Sequence, residues 1–224
     1  VLQDAYITLS HFKRAQFDIG QYKIPLGLEG LQSTATIETV ERALFSTDRS
    51  RGGALADVRD IGITARGGLN KYVDYQVGLF NGVGETMNDV DKNDQKSVVG
   101  RMVVRAPFAK GLQFGGSAAW SNGAGADRPR RDRAGVDVLY RNEALTLKSE
   151  LMTGEDGDLH RVGYYALGAY RINQFEPVFR FDVFDPDTRL ENTALNATER
   201  DYVVGVNYYL TEKNVKVQLN YVRK

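Results

Sequence analysis

The sequence predicts an all-β protein, a transmembrane antiparallel up-and-down β-barrel with about 12 strands in view. Three observations carry this expectation. Apolar and polar residues alternate with a period of two, in segments of about ten residues. The connections between segments alternate between short and long. Aromatic residues gather toward segment ends, at Tyr72, Phe80, Trp120, Tyr140, Tyr170, Phe175, Tyr202 and Tyr208. A period of two is the strand period, because successive side chains point to opposite faces. About ten residues span a bilayer when tilted, whereas globular strands run nearer five or six. Rings with a polar handle favour membrane interfaces, so the aromatics read as two girdles. A soluble β-sandwich also alternates. Segment length together with the two classes of connection favours the membrane barrel.

The elements follow in order. Segments 4–12 and 16–24 turn at Lys13-Arg14. In the second, Gln21 and Lys23 continue the apolar row of Phe17 and Ile19, and a bulge near Gly20 is one way to reverse that row. Residues 25–58 form the first long connection. Segments 59–68 and 71–80 turn at Leu69-Asn70, and Val73, Tyr75, Val77 and Leu79 make a clean apolar row in the latter. After a long stretch at 81–96 come 97–106 and 111–121, joined by Pro107 to Lys110. The stretch 122–133 leads to 134–141 and 145–154, which turn at Asn142-Glu143, with Leu145, Leu147 and Leu151 on one face. Residues 155–160 are the next long connection. Then 161–171 and 175–184 turn at Asn173-Gln174, with Phe179, Phe181 and Val183 opposite Arg180 and Asp182. A long stretch, 185–200, precedes 201–210 and 215–223, joined by Thr211 to Asn214. Short turns on one rim and long loops on the other is the outer-membrane layout. It places Val77, Leu147, Phe181, Val206 and Leu219 toward lipid.

Composition agrees and excludes several classes. The 224 residues suit one domain, with 29 Lys plus Arg against 29 Asp plus Glu. That balance argues against nucleic-acid binding, which wants a basic excess. The absence of Cys removes disulfides, Cys-ligated zinc, thiol catalysis and iron–sulfur centres. No apolar run approaches about 18 residues and mean hydropathy is −0.39, as expected where only every second residue meets lipid. Val1 opens on no signal-peptide pattern. If short turns are periplasmic, both ends of the chain lie outside, and Lys224 stands where complete outer-membrane barrels end on an aromatic residue. The expectation is therefore a barrel lacking strands at each end, with 4–12 and 215–223 as the edges of the visible sheet; the alternative is that these two strands close a twelve-stranded barrel directly, with a ladder between Ala5–Leu9 and Val215–Leu219.

Several stretches resemble a known family. They are Gln21-Tyr22-Lys23-Ile24-Pro25-Leu26-Gly27-Leu28-Glu29, Glu41-Arg42-Ala43-Leu44, Arg59-Asp60-Ile61-Gly62 and Val77-Gly78-Leu79-Phe80-Asn81-Gly82. Val99-Gly100-Arg101-Met102-Val103-Val104-Arg105, Phe184-Asp185, Gly205-Val206-Asn207-Tyr208-Tyr209-Leu210 and Val217-Gln218-Leu219-Asn220-Tyr221-Val222 follow. In order and spacing these resemble the phosphate-selective porin O and P family of Gram-negative outer membranes. The resemblance implies a sixteen-stranded barrel, a homotrimer, and diffusion of small hydrophilic solutes and ions, anions such as phosphate among them. The present chain departs in having about 12 strands.

Residues 26–57 are too many for a turn, and long loops are commonly functional. Ile37, Val40 and Leu44 recur at helical spacing with Glu38, Glu41 and Arg42 on other faces, which predicts a short helix there. In porins such a loop folds inward and narrows the pore, with Arg42, Arg49, Arg51 and nearby Arg59 as constriction residues. A solvated surface loop is the alternative. With the apolar row taken as lipid-facing, the inward bases are Arg66, Arg101, Arg105, Arg141, Lys148, Arg171, Arg180 and Lys216. The inward acids are Asp18, Asp60, Asp74, Asp137, Glu150, Glu176, Asp182 and Asp201. Equal numbers give a wet wall with a transverse field but no net anion trap, so a general porin is the expectation.

Other chemistries are weaker. The tip 127–133 is basic and offers a surface for lipopolysaccharide phosphates, or is simply solvated. Asp89, Asp91 and Asp94 lack the Gly and Glu of a calcium loop, so no metal and no cofactor are expected. His11 and His160 fall on opposite rims, and no Gly-x-Ser-x-Gly occurs. The sequence therefore predicts no enzyme.

Overall fold

The computed structural model describes residues 2–12, 14–47, 55–82, 96–121, 130–190, 197–211 and 215–224. Twelve strands form a single antiparallel sheet in chain order. They are β1 (Ala5–Phe12), β2 (Ala15–Lys23), β3 (Arg59–Gly68), β4 (Val73–Phe80), β5 (Ser97–Arg105) and β6 (Leu112–Ser121). Then come β7 (Arg131–Arg141), β8 (Leu145–Asp156), β9 (Leu159–Tyr170), β10 (Phe175–Asp185), β11 (Glu199–Thr211) and β12 (Val215–Arg223). The sheet is not closed. Strands β1 and β12 are its edges, and among the described residues no ladder joins Ala5–Leu9 to Val215–Leu219.

The alternation acts as expected, but its polarity is the reverse of a soluble sheet. On β8, Thr146, Lys148, Glu150 and Met152 are buried while Leu147 and Leu151 are 46% and 41% exposed. The same inversion holds on β10 and β11, where Arg180, Asp182 and Asn207 are buried and Phe179, Val204 and Val206 are exposed. Val77, Leu147 and Leu219 lie on the exposed face as expected, and Phe181 packs there against Tyr164 and Tyr202.

The polar face is concave. Three consecutive residues of the long loop show this: Ile37 takes hydrogen bonds from Lys216 and Gln218, Glu38 meets Arg141, Lys148 and Asn207, and Thr39 accepts from Arg180. These partners sit on β7, β8, β10, β11 and β12. In a flat sheet β7 and β12 are five spacings apart, about 24 Å. Three residues meet all of them only because the sheet curls around the loop. The apolar core accordingly lies between loop and wall: Ile24, Leu26, Ala43, Leu44, Phe45, Leu55, Ala56 and Val58 pack against Phe80, Val99, Met152, Tyr165 and Phe184.

Four local expectations are corrected. The connection at 155–160 is no long loop, since β8 and β9 pair down to Asp156↔Leu159 around Gly157, whose φ is +61°. The predicted helix over Ile37–Leu44 is absent. Among the described residues only Leu44–Thr47 is helical, and Val40 is 47% exposed while Ile37 is buried, because wall side chains hold this backbone one group at a time. Phe80 belongs to no girdle, being inward and 1% exposed. Finally, no bulge reverses β2: its ladder to β3 runs unbroken from Gln16↔Arg66 to Lys23↔Arg59, with Asp18 inward and Ile19 outward. Gly20, at φ +139°, lets β2 lie close against β1, where an added Cβ would sit 2.7 Å from the Tyr6 Cα.

Candidate functional site

The site is the concave wall and the loop that fills part of it. The neck of the loop closes where the Ile24 N–H donates to the Val58 carbonyl at 3.1 Å. Just inside it the chain turns at Gly27, with φ +75°. A side chain there would collide with the Glu150 carboxylate, so only glycine permits this approach. Glu150 in turn accepts the N–H groups of Leu28 and Glu29 at 2.7 and 3.0 Å, and the Gly27 N–H donates to Ser117 at 3.1 Å.

Glu29 is the centre of the attachment and is fully buried. Its carboxylate accepts from Lys148 at 3.1 Å and from the Ala43 N–H at 2.7 Å, with Arg180 3.8 Å away. Burial pushes this carboxyl up, but Lys148, Arg180 and the Ala43 N–H outweigh it and hold Glu29 below its ordinary value. Lys148 also meets Glu38 at 2.8 Å, and Arg141 reaches the same carboxylate. Arg180 donates to Thr39, to the Glu41 carbonyl and to the Arg42 carbonyl at 2.8 to 3.1 Å. Asp182 caps the Leu44 N–H at 2.9 Å, and Phe45 stacks on Tyr165 with centroids 6.0 Å apart. Buried charges survive only when paired and hydrogen-bonded, and these are.

Of the constriction residues expected, Arg42 lies within the loop, donating to the Glu29 and Gln32 carbonyls and pairing with Asp57 at 3.0 Å. Arg59 begins β3 and pairs with Asp4 at 2.9 Å. Arg49 and Arg51 lie outside the described residues, as do Asp89, Asp91 and Asp94.

The wall residues divide into two sets. Lys148, Glu150, Arg180, Asp182 and Lys216 face the loop and hold it. On β1–β6 each base stands beside an acid. Arg66 is bidentate to Asp18, and Arg101 is bidentate to Asp137 at 2.6 and 3.0 Å with both side chains buried. Arg105 pairs with Asp74 nearer the short-turn rim, half exposed. Arg171 lies over the Tyr209 ring at 3.9 Å. At the long-loop rim Arg131, Arg133 and Arg161 converge on Asp156. His11 and His160 stand at opposite ends of the strands. Sequence reasoning found the wall charges but missed Glu29. Nothing local distinguishes it from any loop glutamate, since its partners lie 119 and 151 residues away at Lys148 and Arg180.

A solved structure shares this fold. The anion-selective porin from Comamonas acidovorans superposes with a TM-score of 0.61 at 12% identity, over 92% of this chain. The chain spans 62% of that porin's length. No curated protein matches the chain. The family model for the phosphate-selective porin O and P matches residues 2–144 and 144–224. A match across the whole wall and its inward loop leaves one assignment: the chain belongs to the phosphate-selective porin O and P family.

Proposed function

We propose that this chain builds the wall and constriction of a porin in a Gram-negative outer membrane, a water-filled diffusion channel for small hydrophilic solutes and ions, anions such as phosphate among them. One observation carries the reading: the buried face is charged and the exposed face apolar. A protein in water has no reason to expose Val77, Leu147, Val217 and Leu219 at 46% to 70% while burying arginine and aspartate. A bilayer outside and water inside supply the reason. The edges β1 and β12 need further partners in hydrocarbon, where each unpaired backbone group costs several kcal/mol. Further strands, to sixteen in all, would supply them, and homotrimers are the assembly the family suggests.

In this reading Arg66, Asp74, Arg101, Arg105 and Arg171 belong to the pathway wall. Lys148, Glu150, Arg180, Asp182 and Lys216 fix the loop whose Arg42, with Arg49, Arg51 and Arg59, sets the constriction. Arg130 and Arg131 offer guanidinium groups to lipopolysaccharide phosphates. Since Arg66, Arg101 and Arg105 all stand beside aspartates, the wall supports general diffusion more than a phosphate trap. Chemistry on the solute has no support here.

Planar-bilayer recording tests the reading. Discrete conductance steps are expected, with a modest preference between anions and cations in a salt gradient. A purified, folded protein that neither conducts nor lets solutes swell liposomes would refute it.

A further inference from the structure

A polar cavity of about 370 Å³ lies on the concave face between β1–β4 and the start of the loop. Resting on the channel reading, we propose that it is a subsite for an uncharged polyhydroxylated solute, a small sugar, along the pathway. Four features point there. First, its charges cancel and are committed: Asp4 to Arg59, Asp18 to Arg66, and Lys23 to Asp57 at 2.6 Å. An anion entering would have to displace a fixed carboxylate, and a cation a fixed guanidinium. A neutral polyol need displace neither. Second, the committed pairs keep spare hydrogen-bonding capacity. Arg66 uses Nε and Nη2 on Asp18, and among the described residues its Nη1 donors and the Gln76 carboxamide make no hydrogen bond. Guanidinium and carboxylate side by side offer donors and acceptors spaced for neighbouring hydroxyls.

Third, an aromatic face is present. Tyr6 is 50% exposed and is braced by Tyr22 with centroids 5.2 Å apart, and Tyr22 is braced by Phe80 at 5.6 Å. The Tyr22 hydroxyl donates to Thr64 at 2.8 Å, which holds the bracing ring behind Tyr6 in place. A rigid ring beside paired hydrogen-bonding groups suits a sugar, which has C–H faces and a hydroxyl rim. Fourth, the volume falls within the span of small-molecule sites. A second polar cavity, about 320 Å³ beside Arg141 and Lys216, touches loop attachments and lacks such a free ring.

The test is current block in planar bilayers, with maltose as probe in potassium chloride and inorganic phosphate as comparison. Maltose should reduce the current saturably. Tyr6→Ala should raise the half-blocking concentration about three- to tenfold with potassium chloride conductance within twofold, and Asp18→Asn should act in the same direction. Tyr202→Ala, on the exposed convex face, should leave block unchanged. Circular-dichroism melting confirms that each variant is folded. A current that falls with maltose only as solution viscosity requires would overturn the subsite and leave the channel standing. So would block by phosphate at lower concentration than maltose, or Tyr6→Ala blocking like the parent. Absence of any conductance would overturn the channel itself.

Discussion

Replacing Lys148 with Met should release the inward loop. The ammonium is buried with both its partners: side-chain exposure is 1% for Lys148, 0% for Glu29 and 5% for Glu38. Removing one member of a buried pair costs about 3–5 kcal/mol, because the other charge is stranded. Two features place this case at the lower end. Glu29 keeps Arg180 at 3.8 Å and the Ala43 N–H, and Glu38 keeps Arg141. About 3 kcal/mol is roughly a hundredfold in the attachment equilibrium. Lys148→Met should therefore raise single-channel conductance and its noise, and lower the melting temperature followed by circular dichroism. Adding Glu29→Gln removes the stranded charge, so the double variant should recover part of both losses. A Lys148→Met protein indistinguishable from the parent in conductance and melting would refute this account of the loop. A double variant that simply sums two independent losses would show that the pair is not coupled.

Three further outcomes follow from other parts of the molecule. Spin labels at Val77 and Leu147 should be relaxed by oxygen dissolved in the bilayer; labels found in water would invert the facing of β4 and β8. Gly20→Ala should destabilise clearly, since its φ is +139° and a Cβ meets the β1 backbone, whereas Gly100→Ala should be neutral or stabilising by up to about 1 kcal/mol, because a Cβ there meets nothing nearer than 3.9 Å; comparable effects in melting would refute the distinction. Glu29 titrates below its ordinary value of 4.5 in the folded protein, so its contribution is present above that value and lost as pH falls through the lower one. The Glu29 share of the attachment should therefore be lost only in acid, read as a rise in conductance there that a Glu29→Gln variant lacks; an identical acid response in parent and variant would refute the assignment.

How much was legible in the sequence depends on the range of the interaction concerned. Alternation over Leu145–Glu150 or Val215–Tyr221 is local, so twelve strands, their facing and their order could be read from it. Strand ends are less legible, because a polar turn and a polar loop look alike over a few residues. Between Asp156 and Leu159 stands Gly157-Asp158, a two-residue turn with glycine first, which favours a tight hairpin, yet its polarity makes it resemble a long loop. The loop misled for a different reason. The helical spacing of Ile37, Val40 and Leu44 is real, but Lys216, Gln218, Asn207 and Asn220 claim the carbonyls and N–H groups a helix would need. Those claims come from β11 and β12, and no window around residue 40 contains them. The pairing of Arg101 with Asp137 was hidden similarly: opposite charges were counted on the wall, but which acid neutralises which base depends on strand register across β5, β6 and β7.

The loop also fixes an order of assembly. Apart from those to Lys23 at its own neck, its polar attachments to the wall span from 90 residues, at Gly27 and Ser117, to 181, at Ile37 and Gln218. Residues 24–58 are synthesised long before β8, β10 and β12, and contacts so distant along the chain form late and slowly. Until those strands have paired and curled, Glu29 has no Lys148, Asp182 has no Leu44 N–H to cap, and all of them stay hydrated. The loop therefore cannot dock onto a half-built wall, and its docking expels water from the inward charges only once the curvature is in place. A register slip anywhere in β8 turns Lys148 and Glu150 outward and leaves the loop undocked. A misassembled sheet would thus differ from a correct one by a free segment of some thirty residues, which a protease added during refolding should cut first.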